Sequence, residues 1–145
     1  MADNFEKNRK ELLDKIEQLR HQAKADQEKG NVVVFGAKGA FVDGLIQTLE
    51  KKYPTRFFSN ADEACAYCLT YETKVIIIDI DPPTDWKMAT DVFTGVRTSR
   101  PDVKVIVCTK APSSVPVQTL AAQKADVLAI PFSADVLFKK IKGGL

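Results

Sequence analysis

The most informative stretch of this chain is Val75–Trp86, VIIIDIDPPTDW. Four branched apolar residues lead to Asp79, and one more apolar residue separates it from Asp81 and two prolines. An unbroken run of branched apolar residues is typical of a strand that is buried on both faces, as in a parallel sheet. A carboxylate at the end of such a strand is uncommon. Asp79 is therefore the first candidate functional residue.

The rest of residues 31–145 repeats the alternation of an apolar run with a helical segment. The other apolar runs are short: NVVVFG, TRFFS, KVIVCT and DVLAI. The helical segments carry start signals, such as the capping pair Asn60 and Glu63 and the cap residue Ser133. Because crossovers between parallel strands are right-handed, helices come to cover both faces of the sheet. The pattern predicts one α/β domain, a doubly wound parallel sheet of five strands.

Functional residues in such a sheet lie at the carboxyl ends of the strands, near the point where the strand order switches. The chain has both polar and apolar residues at these positions. The candidate site consists of Phe35, Gly36, Asp79, Asp81, Thr109, Lys110 and Ile130.

Residues 1–30 are polar and have a helical pattern of their own. Arg9 interrupts a narrow apolar stripe whose members recur at alternating steps of four and three: Phe5, Leu12, Ile16, Leu19 and Ala23. This spacing is that of a short coiled coil. Either the helix packs on its own domain or frays, or it pairs in parallel with a second copy or docks on another protein. We expect a weak homodimer, because a lone helix with so thin a stripe needs a partner surface.

The composition is that of an ordinary globular protein, with 45% hydrophobic and 28% charged residues in a chain of 145. The net charge of +2 is too small to indicate a nucleic-acid or membrane-surface partner. No apolar run approaches the roughly 20 residues of a membrane-spanning helix. Three cysteines, an odd number, and a charged N-terminus unlike a secretory signal indicate a cytoplasmic location.

Taken together, residues 31–142 resemble the receiver domains of two-component response regulators. VIIIDIDPP is similar to the third strand of that family, in which an Asp ends the run and a Pro follows four residues later, as Asp79 and Pro83 do here. VIVCT is similar to the fourth strand, with Thr109 at its end.

DVLAIPF is similar to the fifth strand of the family and the segment after it, with Pro131 and Phe132 at matching positions. The resemblance implies a receiver-like or flavodoxin-like sheet with the strand order 2-1-3-4-5. It also implies a cis peptide bond between Ile130 and Pro131.

The resemblance implies a chemistry as well, which is phosphoryl transfer to the Asp that ends the third strand. That chemistry uses a Mg²⁺ ion held by an acidic pair after the first strand, a Lys before the Pro, and a Ser or Thr that binds the phosphoryl oxygens. This chain has Phe35 and Gly36 in place of the acidic pair and Ile130 in place of the Lys. Asp79 and Thr109 are retained.

Mg²⁺ requires oxygen ligands, which Phe35 and Gly36 do not offer. We therefore predict a pseudo-receiver that is not an enzyme, holds no metal or other cofactor, and acts as a signalling or scaffold module through protein–protein contacts. In this interpretation Asp79, Asp81, Thr109 and Lys110 form a vestigial phosphoacceptor region.

Two other functions stay open at this level. The first is a working phosphoacceptor in which Asp81 and Lys110 rebuild the site, with Lys110 paired to Asp79. The commoner role of such carboxylates is to accept hydrogen bonds from loop backbone amides. The second is nucleotide binding at the turn FGAKGAFVDG, where Gly36 and Gly39 fit the start of a phosphate-binding loop. A turn that requires small residues explains the same glycines.

Two further features have structural interpretations beside the functional ones. Cys65 and Cys68 share one helix face, but the chain offers too few other ligands for zinc, so we expect buried thiols. Trp86 follows the two prolines, in the predicted loop after the third strand. It is a lid over the site, an anchor in an interface, or a residue packed on the adjoining helix, and we assign it to an interface.

Overall fold

The fold is described from a computed structural model for residues 7–17 and 32–142. Residues 7–17 are helical and are named α1. The five strands are β1 (Val32–Phe35), β2 (Thr55–Phe58), β3 (Val75–Asp79), β4 (Lys104–Thr109) and β5 (Asp126–Ala129). The other helices are α2 (Ala40–Glu50), α3 (Ala61–Thr70), α4 (Trp86–Ser99), α5 (Val115–Ala122) and α6 (Ala134–Lys142).

The strands form one five-stranded sheet in the order β2-β1-β3-β4-β5, and every neighbouring pair is parallel. This confirms the predicted doubly wound sheet and its order. The order switches between β1 and β3, since the chain leaves β1 for β2 on one side and returns to β3 on the other. Loops that follow β1 and β3 therefore diverge at this point and leave a crevice between them.

Side chains of each central strand alternate between two apolar layers, because successive residues of a strand point to opposite faces. On one face, α3, α4 and α5 cover a cluster that includes Val33, Phe35, Ile76 and Ile78. On the other face, α2 and α6 cover a cluster that includes Val32, Val34, Val75 and Ile77. The central strands are thus buried on both sides, which explains their unbroken Val and Ile runs.

The helix start signals in the sequence are confirmed in part. The Asn60 side chain accepts a hydrogen bond from the Glu63 N–H at 3.0 Å, and the Ser133 hydroxyl accepts one from the Val136 N–H at 3.3 Å. The predicted position of Trp86 is wrong, since it is the first residue of α4 and not part of the preceding loop. Asp85 caps this helix by accepting a hydrogen bond from the Lys87 N–H at 2.8 Å, and so starts α4 earlier than expected.

The peptide bond between Ile130 and Pro131 is cis, as predicted, and the bond between Pro82 and Pro83 is cis as well. Within residues 7–17 and 32–142, no helix combines the length and the apolar character needed to cross a membrane.

Candidate functional site

The switch in strand order brings the ends of β1, β3 and β4 together. Asp79 is the last residue of β3, and its Cα pairs in register with Cys108 of β4, directly before Thr109. Asp79 shares the strand face of Val75 and Ile77, so its side chain lies on the α2 and α6 side of the sheet. Gly36 follows β1 directly beside it: a Cβ added at Gly36 would lie 3.0 Å from the Cβ of Asp79.

Asp79 is nearly buried, with 8% of its surface exposed. Its Oδ1 accepts a hydrogen bond of 3.2 Å from the Asp81 N–H. Burial raises the pKa of the Asp79 carboxyl above its usual range, and the negative charge of Asp81 adds to the rise. The hydrogen bond from the Asp81 N–H and the charge of Lys110 oppose this shift in pKa in part. Ionised Asp79 is therefore held in an unfavourable environment.

Asp81 is much better satisfied than Asp79. Its Oδ1 accepts a hydrogen bond from the Thr109 hydroxyl at 2.7 Å, and its Oδ2 accepts one from the Lys110 N–H at 2.6 Å. Hydrogen bonds of this length to an ionised carboxylate are of the stronger, charge-assisted kind. Thr109 is itself 1% exposed, whereas Asp81 is half-buried, so the contact between them is partly buried.

The expected capping role of the two carboxylates is therefore confirmed, since each accepts a hydrogen bond from a loop N–H. The alternative in which Lys110 pairs with Asp79 is not supported, since these two side chains form no ion pair. In the described part of the chain, Lys110 forms no ion pair, and its backbone donates to Asp81 instead. The reason is geometric: the Lys110 N–H points at the carboxylate of the β3 loop, whereas its side chain is exposed.

Thr84 extends this network to the loop after β1, and the sequence analysis did not single it out. Its hydroxyl accepts a hydrogen bond of 2.9 Å from the Ala37 N–H, and its own N–H donates to the Asp81 carbonyl at 2.9 Å. Thr84 is 8% exposed. A threonine between a proline and a helix cap carries no periodic signal, so only the fold of the loop shows its role.

The residues present do not fit the Mg²⁺ ion that the receiver resemblance implies. Phe35 places its ring in the apolar layer under α3 and α4, on the face opposite to Asp79. Gly36 faces Asp79 but has no side-chain oxygen, and Asp81 is engaged by Thr109 and Lys110. No group of three His, Cys, Asp or Glu residues in the described ranges is arranged to hold a metal.

Ile130, which replaces the lysine of the family, also has apolar surroundings. Ile130 is half-buried and packs against the layer under α2 and α6. It lines a cleft of 160 Å³ together with Asp79, Asp81 and Lys110. The cleft therefore has two carboxylates and two lysines in its lining, and an apolar residue at the position of the lysine that binds the phosphoryl group in the family.

Gly39 lies on the rim of the same cleft and is the cap residue of α2. The N-terminus of α2 is thus directed toward the cleft, as a phosphate-binding loop requires. Two carboxylates and two lysines line that same cleft, so its charged side chains provide no net positive charge to attract a pyrophosphate. Gly36 packs against Asp79 and does not line this cleft, which favours the structural explanation of this glycine.

The three cysteines are free thiols. Cys68 is buried, as predicted, whereas Cys65 is only half-buried, contrary to the prediction; Cys108 is buried as well. Burial raises the pKa of the Cys108 thiol to about 12, and the charges of Asp79 and Asp81 contribute to the rise. Cys108 is therefore a neutral packing residue beneath the site and not a nucleophile.

The predicted interface residues are exposed where the structure describes them. Leu12 and Ile16 of α1 are 60% and 39% exposed. Phe5 and Leu19 lie outside the described residues. Trp86 is 50% exposed and does not line the cleft at Asp79, so its arrangement does not fit a lid over the site.

No family model and no curated protein sequence matches this chain. Solved structures do match it, and several of them are receiver domains of response regulators. A signal receiver domain from Bacteroides fragilis is 11% identical with a TM-score of 0.68, over 79% of this chain and 95% of that one.

A CheY-like receiver domain protein from Methanospirillum hungatei is 20% identical with a TM-score of 0.65, over 79% of this chain and 91% of that one. The chemotaxis protein CheY4 of Vibrio cholerae is 18% identical with a TM-score of 0.65, over 80% of this chain and 98% of that one. The chain thus has a receiver-like fold. At such low identity the likeness carries the fold alone, and the function has to be argued from the site.

Proposed function

We propose that this chain is a pseudo-receiver, a signalling or scaffold module that acts through protein–protein contacts without Mg²⁺-dependent phosphorylation of Asp79. The observation that carries the proposal is the pairing of Asp79 with Gly36. Gly36, the residue that follows β1 and faces Asp79, has no side chain to hold a cation. A positioned cation contributes several kcal/mol of transition-state stabilisation in phosphoryl transfer. The proposal accordingly includes no catalytic step and no cofactor.

A second observation disfavours the rebuilt phosphoacceptor. That alternative requires Asp81 and Lys110 to act on a phosphoryl group at Asp79. The Asp81 carboxylate already accepts two hydrogen bonds, one of them from the Lys110 backbone. Recruiting Asp81 would leave the buried Thr109 hydroxyl and the Lys110 N–H to find other partners, which costs free energy.

The apolar surface of the domain supports contacts with other proteins. The exposed large apolar residues include two that begin adjacent helices, Trp86 of α4 and Val115 of α5, with exposed fractions of 50% and 78%. Leu12, Leu13 and Ile16 of α1 are exposed too. We propose that α1 sets the oligomeric state as a weak parallel homodimer and that Trp86 anchors a partner protein. We also place the chain in the cytoplasm, where its free thiols stay reduced.

The test is treatment of the full chain with acetyl phosphate and MgCl₂, followed by measurement of the intact mass. We expect no gain of a phosphoryl group under conditions in which a working receiver domain is modified. The Asp79→Asn variant is the control for modification elsewhere in the chain. Addition of one phosphoryl group to the wild type, absent from Asp79→Asn, would contradict the proposal and favour the rebuilt phosphoacceptor.

A further inference from the structure

We propose that Asp81 is an internal ligand of the site: its carboxylate occupies the oxyanion position formed by the Thr109 hydroxyl and the Lys110 N–H, and thereby holds the loop before α5 in one arrangement without phosphorylation. This inference rests on the proposed function and deepens it, because it names how the site is regulated. The domain is then presented to its partner in a constant state.

Thr109 and Lys110 provide two hydrogen-bond donors that converge on one place. A hydroxyl and a backbone N–H that converge on one point form a site for an oxyanion. Here they converge on the two oxygens of Asp81, at 2.7 Å from the Thr109 Oγ1 and 2.6 Å from the Lys110 N. In the receiver resemblance, the Thr at this position binds phosphoryl oxygens. The carboxylate of Asp81 thus takes a hydrogen bond that a phosphoryl group on Asp79 would require.

The Asp81 carboxylate is held in place by the loop that carries it. The Asp81 carbonyl accepts a hydrogen bond of 2.9 Å from the Thr84 N–H, and Thr84 is held in turn by the Ala37 N–H at 2.9 Å. The carboxylate is therefore presented from a loop that is fixed at both neighbouring strand ends. A tethered group competes at an effective concentration in the millimolar range or above, so a free anion has to exceed that concentration to displace it.

A series of hydrogen bonds connects the site to the start of α5. The Thr109 Oγ1 donates to Asp81 and also accepts a hydrogen bond of 2.9 Å from the Ala111 N–H. Ala111 continues the chain of contacts, because its carbonyl accepts a hydrogen bond of 3.1 Å from the N–H of Ser114, the residue that caps α5. Asp81 therefore fixes the orientation of the Thr109 hydroxyl, which fixes the turn that leads into α5.

The experiment measures hydrogen exchange of the Lys110 and Ala111 backbone amides by NMR in the wild type, in Asp81→Gly, and in the matched control Asp79→Asn. The control removes the neighbouring carboxylate charge, and that carboxylate does not accept from Thr109 or Lys110. We expect slow exchange at Lys110 in the wild type and in Asp79→Asn. In Asp81→Gly we expect exchange about 10- to 100-fold faster, since the lost hydrogen bond is to a charged group.

Chemical rescue provides the second readout. Acetate has the size of the CH₂–COO⁻ group that Asp81→Gly removes, so added sodium acetate should slow the exchange of the Lys110 amide in that variant in a saturable manner. Sodium chloride at the same ionic strength should not. Wild type should respond to neither salt, because its site is filled by Asp81. Unchanged exchange at Lys110 in Asp81→Gly, or an equal effect of Asp79→Asn, would overturn the proposal.

Two measurements keep the proposal testable if Asp81→Gly does not fold. Rapid exchange of the Lys110 amide in the wild type itself would contradict it. In Thr109→Val, which removes the hydroxyl, we expect faster exchange at Ala111 with Lys110 still protected by Asp81. Loss of protection at Lys110 in that variant would count against the carboxylate as its partner.

The two proposals fail in different ways. The exchange measurements use no phosphodonor, so phosphorylation of wild-type Asp79 would overturn the proposed function. An unprotected Lys110 amide in a wild type that stays unmodified by acetyl phosphate would overturn the role of Asp81 alone.

Discussion

Asp79 and Asp81 are two residues apart and carry the same side chain, but their surroundings differ. Asp81 accepts short hydrogen bonds from a hydroxyl and a backbone N–H, whereas Asp79 accepts one of 3.2 Å and is nearly buried. A carboxylate that accepts two short hydrogen bonds is stable in its ionised form. A buried carboxylate without them loses its hydration and gains few hydrogen bonds in exchange. Of the two carboxylates, Asp79 therefore has the less favourable environment for its charge.

We expect Asp79→Asn to raise the melting temperature of the domain at pH 7 by a few °C. The variant keeps an oxygen for the Asp81 N–H and removes a charge whose pKa is raised by burial and by Asp81. A carboxyl with a raised pKa in the folded state binds more protons there than in the unfolded state, so its ionisation destabilises the fold at neutral pH.

The sign of the pH dependence follows from the same shift. As the pH falls through the folded-state pKa of Asp79, the wild type takes up the proton and loses this penalty, so the advantage of Asp79→Asn should shrink. Thermal unfolding of both proteins across acidic and neutral pH checks this. An advantage that is constant with pH would show that charge burial at Asp79 is not its cause.

The two glycines of the loop after β1 allow a matched comparison. A Cβ at Gly36 would lie 3.0 Å from the Asp79 Cβ and 3.5 Å from the Val42 Cγ2, whereas a Cβ at Gly39 would meet nothing within 4 Å. We expect Gly36→Ala to lower the free energy of unfolding by about 1–3 kcal/mol, as overpacking does. Gly39→Ala should change the free energy of unfolding by less than about 1 kcal/mol, because the loss of a preferred N-cap residue opposes the gain from a less flexible unfolded chain. Urea denaturation measures both, and equal effects would show that Gly36 is not packed against Asp79.

At the scale of the elements, the sequence predicts where strands and helices lie better than it predicts where they begin. The capping residue Asn60 carries a local signal that survives in the structure. Asp85 carries a similar signal before α4, yet the sequence analysis assigns Trp86 to the loop, whereas Trp86 is the first residue of the helix. A sequence shows which residues can cap a helix. It does not show where the helix begins when turn-forming residues stand beside the cap.

Side chains alternate between the two faces of a strand, so adjacent residues in a sequence motif need not face the same site. Phe35 and Gly36 were both predicted to replace the acidic pair, but adjacent residues at the end of a strand point to opposite faces. Phe35 therefore enters the layer under α3 and α4, and only Gly36 faces Asp79. The opposite orientation of these two residues follows from the two-residue period of a strand and could be predicted from the sequence. The contacts of Asp81 and Thr84 were not, because they depend on the path of residues 80–85.

At the scale of the whole molecule, the sheet and α1 differ in how their apolar surface is covered. The sheet is closed on both faces by its own helices. Residues 7–17 are exposed throughout, including the adjacent Leu12 and Leu13. Fully burying a Leu or Ile side chain contributes roughly 1.5–3 kcal/mol, so a second copy of the same stripe offers α1 a way to cover its apolar residues.

We expect the full chain to dimerise weakly through α1, with a dissociation constant of about 100 μM, because Arg9 interrupts the stripe and association itself costs free energy. Sedimentation equilibrium over a concentration series measures this. The variant Leu12→Asp, Ile16→Asp should stay monomeric, because it places charges on the stripe. The variant Lys7→Gln, Lys10→Gln changes the net charge by the same amount away from the stripe and should dimerise like the wild type. A wild type that stays monomeric at millimolar concentration would rule out self-association, and loss of the dimer in both variants would indicate a charge effect and not pairing along the stripe.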